Sequence, residues 1–199
     1  MKNLLILFAF VFYLPILNSH TLEKAISSND RETKSILRDS YRNPYETLSF
    51  FEIKSDMKIV ELSPGGGWYT EILANYIDKP GLLIAAHFDK DTNIPYFKRG
   101  RAAFEKKIST NPMYKNVEIV DLSSELAKEG SIDAVLTFRN LHNWLGPQMD
   151  NIFSNAYKAL KPGGIFGVVE HRANPGTSME KMKKSGYVTQ SLAIKKALE

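Results

Sequence analysis

The sequence contains no cysteine. That excludes disulfides, thiolate nucleophiles and cysteine-ligated zinc together. Histidine is scarce, with four in 199 residues, and none falls in a spaced ligand motif such as H-E-x-x-H. His87, His142, His171 and Glu170 are the one set that convergence would turn into a metal site, and no metal is expected. Neither charge sign dominates, with 26 Lys and Arg against 22 Asp and Glu. The densest basic stretch, Lys98-Arg99-Gly100-Arg101 with Lys106-Lys107, has no accompanying set of aromatics for base stacking. It reads as the solvated face of a helix, and nucleic acid is not an expected partner. Apolar residues make up 43% and charged residues 24% of the chain, which excludes a disordered polymer and fits one folded domain.

Long apolar runs are also missing, with one exception. Residues 4–17 are almost wholly apolar behind the short basic head Met1-Lys2-Asn3, and Pro15 and Asn18-Ser19-His20 close the run. The run is short for a membrane span of about 20 residues and has the layout of a secretory signal peptide. The expectation is a signal peptide over residues 1–19 and an exported product, periplasmic or secreted. Membrane contact is then confined to this segment; an uncleaved anchor is the alternative.

Residues 20–57 read as a helical lead-in and residues 58–199 as an α/β domain. Lys58-Ile59-Val60-Glu61-Leu62 is a first strand, and Tyr69, Ile72, Leu73, Tyr76 and Ile77 recur with helical period after it. Strands follow at 82–86, 117–120, 132–138 and 165–169, separated by helical patterns. Five strands alternating with helices predict a Rossmann-like, doubly wound parallel sheet with right-handed crossovers. Ligands of such sheets sit at the carboxyl ends of the strands. Here the first strand runs into Ser63-Pro64-Gly65-Gly66-Gly67, a turn whose glycines admit a close approach of ligand to backbone.

Glu61-Leu62-Ser63-Pro64-Gly65-Gly66-Gly67 resembles the first motif of class I S-adenosylmethionine-dependent methyltransferases. Leu160-Lys161-Pro162-Gly163-Gly164 is similar to their turn before strand five, and Ile132-Asp133-Ala134-Val135 to their strand four. With Arg139-Asn140-Leu141-His142-Asn143-Trp144 and Glu170-His171-Arg172-Ala173, the resemblance is to a group of predicted, mostly exported methyltransferases and covers about residues 30–199. It implies S-adenosylmethionine as cofactor and a small, unidentified methyl acceptor. It places Glu61, Ser63, Gly65 and Gly67 at the methionyl part of the cofactor and Asp121 near the adenine. Two positions depart from the pattern. Ser63 replaces the first glycine, and the acid that grips the ribose falls at His87, with Asp89 two residues on as the preferred substitute. Arg139, Asn140 and His142 cluster after strand four as candidates for orienting or deprotonating the acceptor.

Other readings stand beside this one. The turn also reads as a degenerate dinucleotide fingerprint with Asp89 as the ribose acid, although Thr70 occupies the third glycine position. A binding protein that keeps the frame without catalysis is a further reading, because S-adenosylmethionine is made in the cytoplasm. No sixth or seventh strand is legible after residue 169. The expectation is therefore a shortened sheet whose fifth strand is an open edge, favouring self-association. For the N-terminal segment, mass spectrometry of exported protein is expected to find a mature chain starting near His20; an intact Met1 contradicts cleavage.

Overall fold

The computed structural model describes residues 21–199; the signal-like segment lies outside the described residues. Four short helices lead in: α1 (Leu22–Ile26), α2 (Thr33–Ile36), α3 (Asp39–Arg42) and α4 (Pro44–Phe50). The alternation then runs β1 (Lys58–Leu62), α5 (Trp68–Tyr76), β2 (Leu82–His87), α6 (Pro95–Thr110), β3 (Val117–Asp121) and β4 (Ile132–Phe138). After α7 (Leu141–Trp144) and α8 (Pro147–Ala159) comes β5 (Leu160–Val169). The end of the chain forms β6 (Arg172–Ala173), α9 (Met179–Ser185), β7 (Val188–Thr189) and α10 (Gln190–Leu198).

The five main strands are parallel and lie in the order β3-β2-β1-β4-β5. The chain winds outward from β1 through β2 to β3, then returns to β4 on the other side of β1. Strand order therefore reverses between β1 and β4, and a crevice opens beyond their carboxyl ends. Both faces of the sheet are covered, as a parallel sheet requires. Adjacent residues of β1 point to opposite faces. Ile59 joins Leu48, Ile53, Trp68, Ile72 and Leu73 of α4, α5 and the loop between α4 and β1, whereas Val60 joins Leu141, Trp144, Met149, Ile152 and Phe153 of α7 and α8.

Proline and glycine set the element boundaries. Pro95 and Pro147 occupy first-turn positions of α6 and α8, where a missing N–H costs nothing. Gly186 closes α9 in the left-handed region, at φ +74°. Lys161-Pro162-Gly163-Gly164 does more than stop α8. Leu160 already pairs with Ile132, and the ladder resumes at Ala134 and Ile165, so the motif is an irregularity inside β5.

The carboxyl end departs from expectation. β6 and β7 pair with each other over two residues, in parallel and apart from the main sheet. Two-residue strands carry no periodic signal, which is why the sequence did not show them. Among the described residues nothing pairs with the outer side of β5. Helix α10 packs on α8, where Lys196 meets Asp150 at 2.9 Å and Leu192 and Ala193 touch the core.

Gly167 lies in β5 where the sheet is tightest. A Cβ there would stand 2.6 Å from Leu136 Cδ2 and 3.2 Å from the Phe51 ring. Leu136 is fully buried, so the strain falls on packed core. Gly167→Ala is expected to lower unfolding free energy by about 1–3 kcal/mol in urea titration; an unchanged midpoint would show that the sheet yields freely here.

Candidate active site

The loop after β1 is shaped by backbone conformation. Ser63, Gly65 and Gly67 all have positive φ, at +50°, +60° and +79°. Glycine takes this region freely, but for serine it is strained, so surrounding bonds must hold it. They do: the Ser63 N–H donates to Ala86 O at 2.8 Å, and Asn140 Nδ2 donates to Ser63 O at 3.2 Å. Ser63 Oγ is buried and has no hydrogen-bond partner among the described residues. A Cβ at Gly65 or Gly66 would meet nothing within 4 Å. That bare stretch of backbone lines a cavity of about 870 Å³, shared with Ser63, His87, Phe104, Lys107, Asn140 and Trp144. The size suits a small-molecule ligand. Helix α5 starts from this loop with no side-chain cap.

Gly67 and Glu61 lie under the loop and do not line the cavity. A Cβ at Gly67 would meet Phe104 Cε2 at 3.0 Å, so this glycine exists for packing and for its φ. Glu61 is buried and accepts a 2.6 Å hydrogen bond from Thr70 Oγ1. Burial pushes its pKa up to about 7, against the smaller pull of Thr70, Lys107 and Arg42.

His87 also lines the cavity, with both ring nitrogens engaged. Nδ1 accepts from the Phe88 N–H at 2.8 Å. Nε2 must therefore carry the proton that it gives to Gly65 O at 3.1 Å. The ring braces the glycine loop, and burial holds its pKa below the usual histidine value. Asp89 accepts from the N–H and the hydroxyl of Ser123, at 3.1 and 2.7 Å, and faces a neighbouring hollow. Asp121 accepts from Arg101 at 2.8 Å and from Lys90 N at 3.2 Å. Both acids hold loops together and stand off the cavity wall.

Of the residues after β4, Asn140 reaches the cavity and ties β4 to the glycine loop, donating to Thr137 Oγ1 at 3.0 Å as well as to Ser63 O. Arg139 has φ +64° and donates its N–H to Val169 O at 2.7 Å. His142 turns elsewhere. Its Nδ1 lies 3.0 Å from Glu170 Oε2, and its ring stands 3.7 Å from where a Gly186 Cβ would be. His171 stacks on Tyr187. Among the described residues no three His, Asp or Glu side chains gather as metal ligands.

Sequence reasoning missed Lys107. Its ammonium donates to Glu71 Oε1 at 2.6 Å and to Gly66 O at 3.0 Å, and lies 3.1 Å from Glu32 Oε1. Arg101, in the same basic stretch, is buried against Asp121 and Glu105. Part of the supposedly solvated face is thus internal, because acids distant in sequence neutralise it.

The raised pKa of Glu61 has a definite sign. A carboxyl that binds its proton more tightly folded than unfolded stabilises the fold below its unfolded pKa of 4.5, and that contribution is lost as pH rises through about 7. Glu61→Gln keeps an acceptor for Thr70 and removes the charge. It is expected to match wild type at pH 4.5 and to exceed it by up to about 3 kcal/mol at pH 8 in urea unfolding. Equal stabilities at pH 8 would contradict a destabilising buried charge.

A family model described as a methyltransferase domain matches residues 60–168. Among solved structures, a SAM-dependent methyltransferase from Aquifex aeolicus superposes with a TM-score of 0.62 at 14% identity, over 88% of this chain and 85% of that one. A putative sarcosine dimethylglycine methyltransferase from Galdieria sulphuraria gives 0.60 at 13% identity, over 82% and 59%. An arsenic(III) S-adenosylmethionine methyltransferase from Chlamydomonas reinhardtii gives 0.51 at 16% identity, over 73% and 51%. No curated protein matches the sequence. At such identities the structures speak for the fold. The family model spans more than half of the chain, from within β1 to within β5, so this chain belongs to the methyltransferase-domain family.

Proposed function

We propose that this chain is an S-adenosylmethionine-dependent methyltransferase acting on a small acceptor. One observation carries the reading: at the switch point of the sheet, Gly65 and Gly66 present bare backbone to a cavity of about 870 Å³ beside an unpartnered, buried Ser63 Oγ. These residues fit the cofactor. The loop backbone and Ser63 hold its methionyl part, and Glu61, which titrates near neutrality, supplies a compensating charge beneath it. When bound, the cofactor supplies an electrophilic methyl group on a sulfonium. The chain's own residues then bind, orient and exclude water, which is most of what an in-line displacement requires. His87 keeps the loop in shape, and Asp89 and Asp121 fix the loops after β2 and β3.

A second reading, a protein that binds the cofactor frame without turnover, is favoured by the state of His87. It is the one imidazole among the residues lining this cavity, and neither nitrogen is free to take a proton. His142 would have to leave Glu170 to serve as a base. Methyl transfer by this site therefore suits an acceptor that arrives already nucleophilic. Export belongs to the same proposal and rests on residues 1–19. Among the described residues no helix is long and apolar enough to cross a membrane.

Gly66 gives the cleaner test of the cavity, since its φ is not positive and its Cβ direction is open. Gly66→Val is expected to weaken S-adenosylhomocysteine by at least about tenfold in calorimetry, with an unchanged melting temperature. Wild-type protein that binds neither S-adenosylmethionine nor S-adenosylhomocysteine would overturn the cofactor assignment. Binding without turnover of any acceptor supports the second reading.

A further inference from the structure

The sheet supplies no carboxylate to the wall of the glycine-loop cavity. Glu61 lies beneath the loop, and Asp89 and Asp121 are turned to Ser123 and Arg101. Among the described residues lining the cavity, Glu32 is the only acid, and it comes from the lead-in, immediately before α2. Its backbone is held in place. Glu32 O accepts the Ser35 N–H at 2.8 Å, while Ser35 O accepts from Trp68 Nε1 at 2.8 Å and Ser35 Oγ donates to Glu71 Oε1 at 3.1 Å. Its carboxylate is less confined, with the side chain 38% exposed. Oε2 meets Lys34 at 2.6 Å, but the Lys34 side chain is 82% exposed, and such a pair contributes little. Oε1 lies 3.1 Å from Lys107 Nζ.

Lys107 lines the same cavity, and its bonds decide what this contact can do. An ammonium has three N–H groups and accepts nothing. One goes to Glu71 Oε1 at 2.6 Å and one to Gly66 O at 3.0 Å, which leaves the third for Glu32. Buried Glu71 keeps Lys107 neutralised when Glu32 moves, so the Glu32 contact is the one that a ligand can open. A cation and an anion thus stand side by side on the wall, tied through Lys107 to the glycine loop. The complementary object is an α-amino acid, which carries an ammonium and a carboxylate on one carbon. We propose that Glu32 and Lys107 bind the amino-acid end of the ligand: Glu32 accepts from its ammonium, and the third N–H of Lys107 passes from Glu32 to its carboxylate. Each charge then exchanges one partner for another, and none is left stranded. The identity of that ligand rests on the S-adenosylmethionine reading of the cavity.

5′-Methylthioadenosine shares the nucleoside and the thioether of S-adenosylhomocysteine but lacks the amino-acid end. Comparing the two in calorimetry separates recognition of that end from the shape of the cavity. Wild-type protein is expected to bind S-adenosylhomocysteine at least about tenfold more tightly than 5′-methylthioadenosine. Glu32→Gln keeps the size of the side chain and removes its charge at a partly exposed position. It is expected to weaken S-adenosylhomocysteine by about tenfold and to leave 5′-methylthioadenosine within about twofold of wild type. For Lys107 the probe is S-adenosylhomocysteine without its carboxyl group, expected to bind wild type about tenfold more weakly than the parent. Lys107→Met is expected to erase that difference, a ratio within one protein that altered stability does not move. Equal affinity of wild type for S-adenosylhomocysteine and 5′-methylthioadenosine overturns the proposal. An unchanged affinity of Glu32→Gln for S-adenosylhomocysteine overturns it as well, and so does an equal loss for both ligands, which makes Glu32 a strut of the cavity wall. In those three cases the cofactor reading stands. Wild-type protein that binds neither ligand defeats that reading, and the assignment of Glu32 and Lys107 falls with it.

Discussion

Three walls of the cavity meet at one buried carboxylate. Glu71, on α5, is fully buried and receives Lys107 Nζ from α6 at 2.6 Å and Ser35 Oγ from α2 at 3.1 Å, with Arg31 Nε at 3.8 Å. Arg31 in turn grips Asp39 of α3, and Lys107 also reaches Gly66 of the loop. Removing water from so many charges is costly, and pairing only roughly balances that cost. What the network contributes is position. It clamps the lead-in helices, the start of α5 and the far end of α6 onto the glycine loop, and Trp68 Nε1 adds a 2.8 Å bond to Ser35 O. Without it α2 and α3 would have little to define their place, since a helix of four residues does not hold itself together.

The legible parts of the fold were those with local cause. Strand β1, the periodic face of α5 and the apolar stripe of α8 all appear where hydrophobic pattern puts them, and the parallel sheet follows from their alternation. Ser63, Gly65 and Asn140 were found by their place in the chain and share the cavity wall. What escaped reading was long-range pairing. Nothing near Lys107 in sequence announces Glu71, 36 residues away, and nothing near Asp89 announces Ser123, 34 residues away. Side-chain direction was equally hidden. His142 lies at the mouth of the sheet, as its position after β4 requires, yet it turns to Glu170, a partner supplied by the end of β5. Gly67 belongs to the loop but faces Phe104.

The parallel pair β6–β7 and the helices around it cover the end of the molecule that α7 also touches. Met182 and Val188 are buried in the same core that holds Trp144, so this terminal unit backs the wall that Trp144 presents to the cavity. Residues far from the glycine loop thereby help to set the width of the site.

The acid beneath that loop has a thermodynamic consequence. A carboxyl with a pKa of about 7 is only partly ionised at neutral pH. A cationic ligand above it favours the charged form, so binding drives the remaining proton into solvent. Uptake of such a ligand is then a proton-releasing event near pH 7. Its measured heat contains the ionisation enthalpy of whichever buffer receives the proton, and its affinity rises with pH until Glu61 is fully charged.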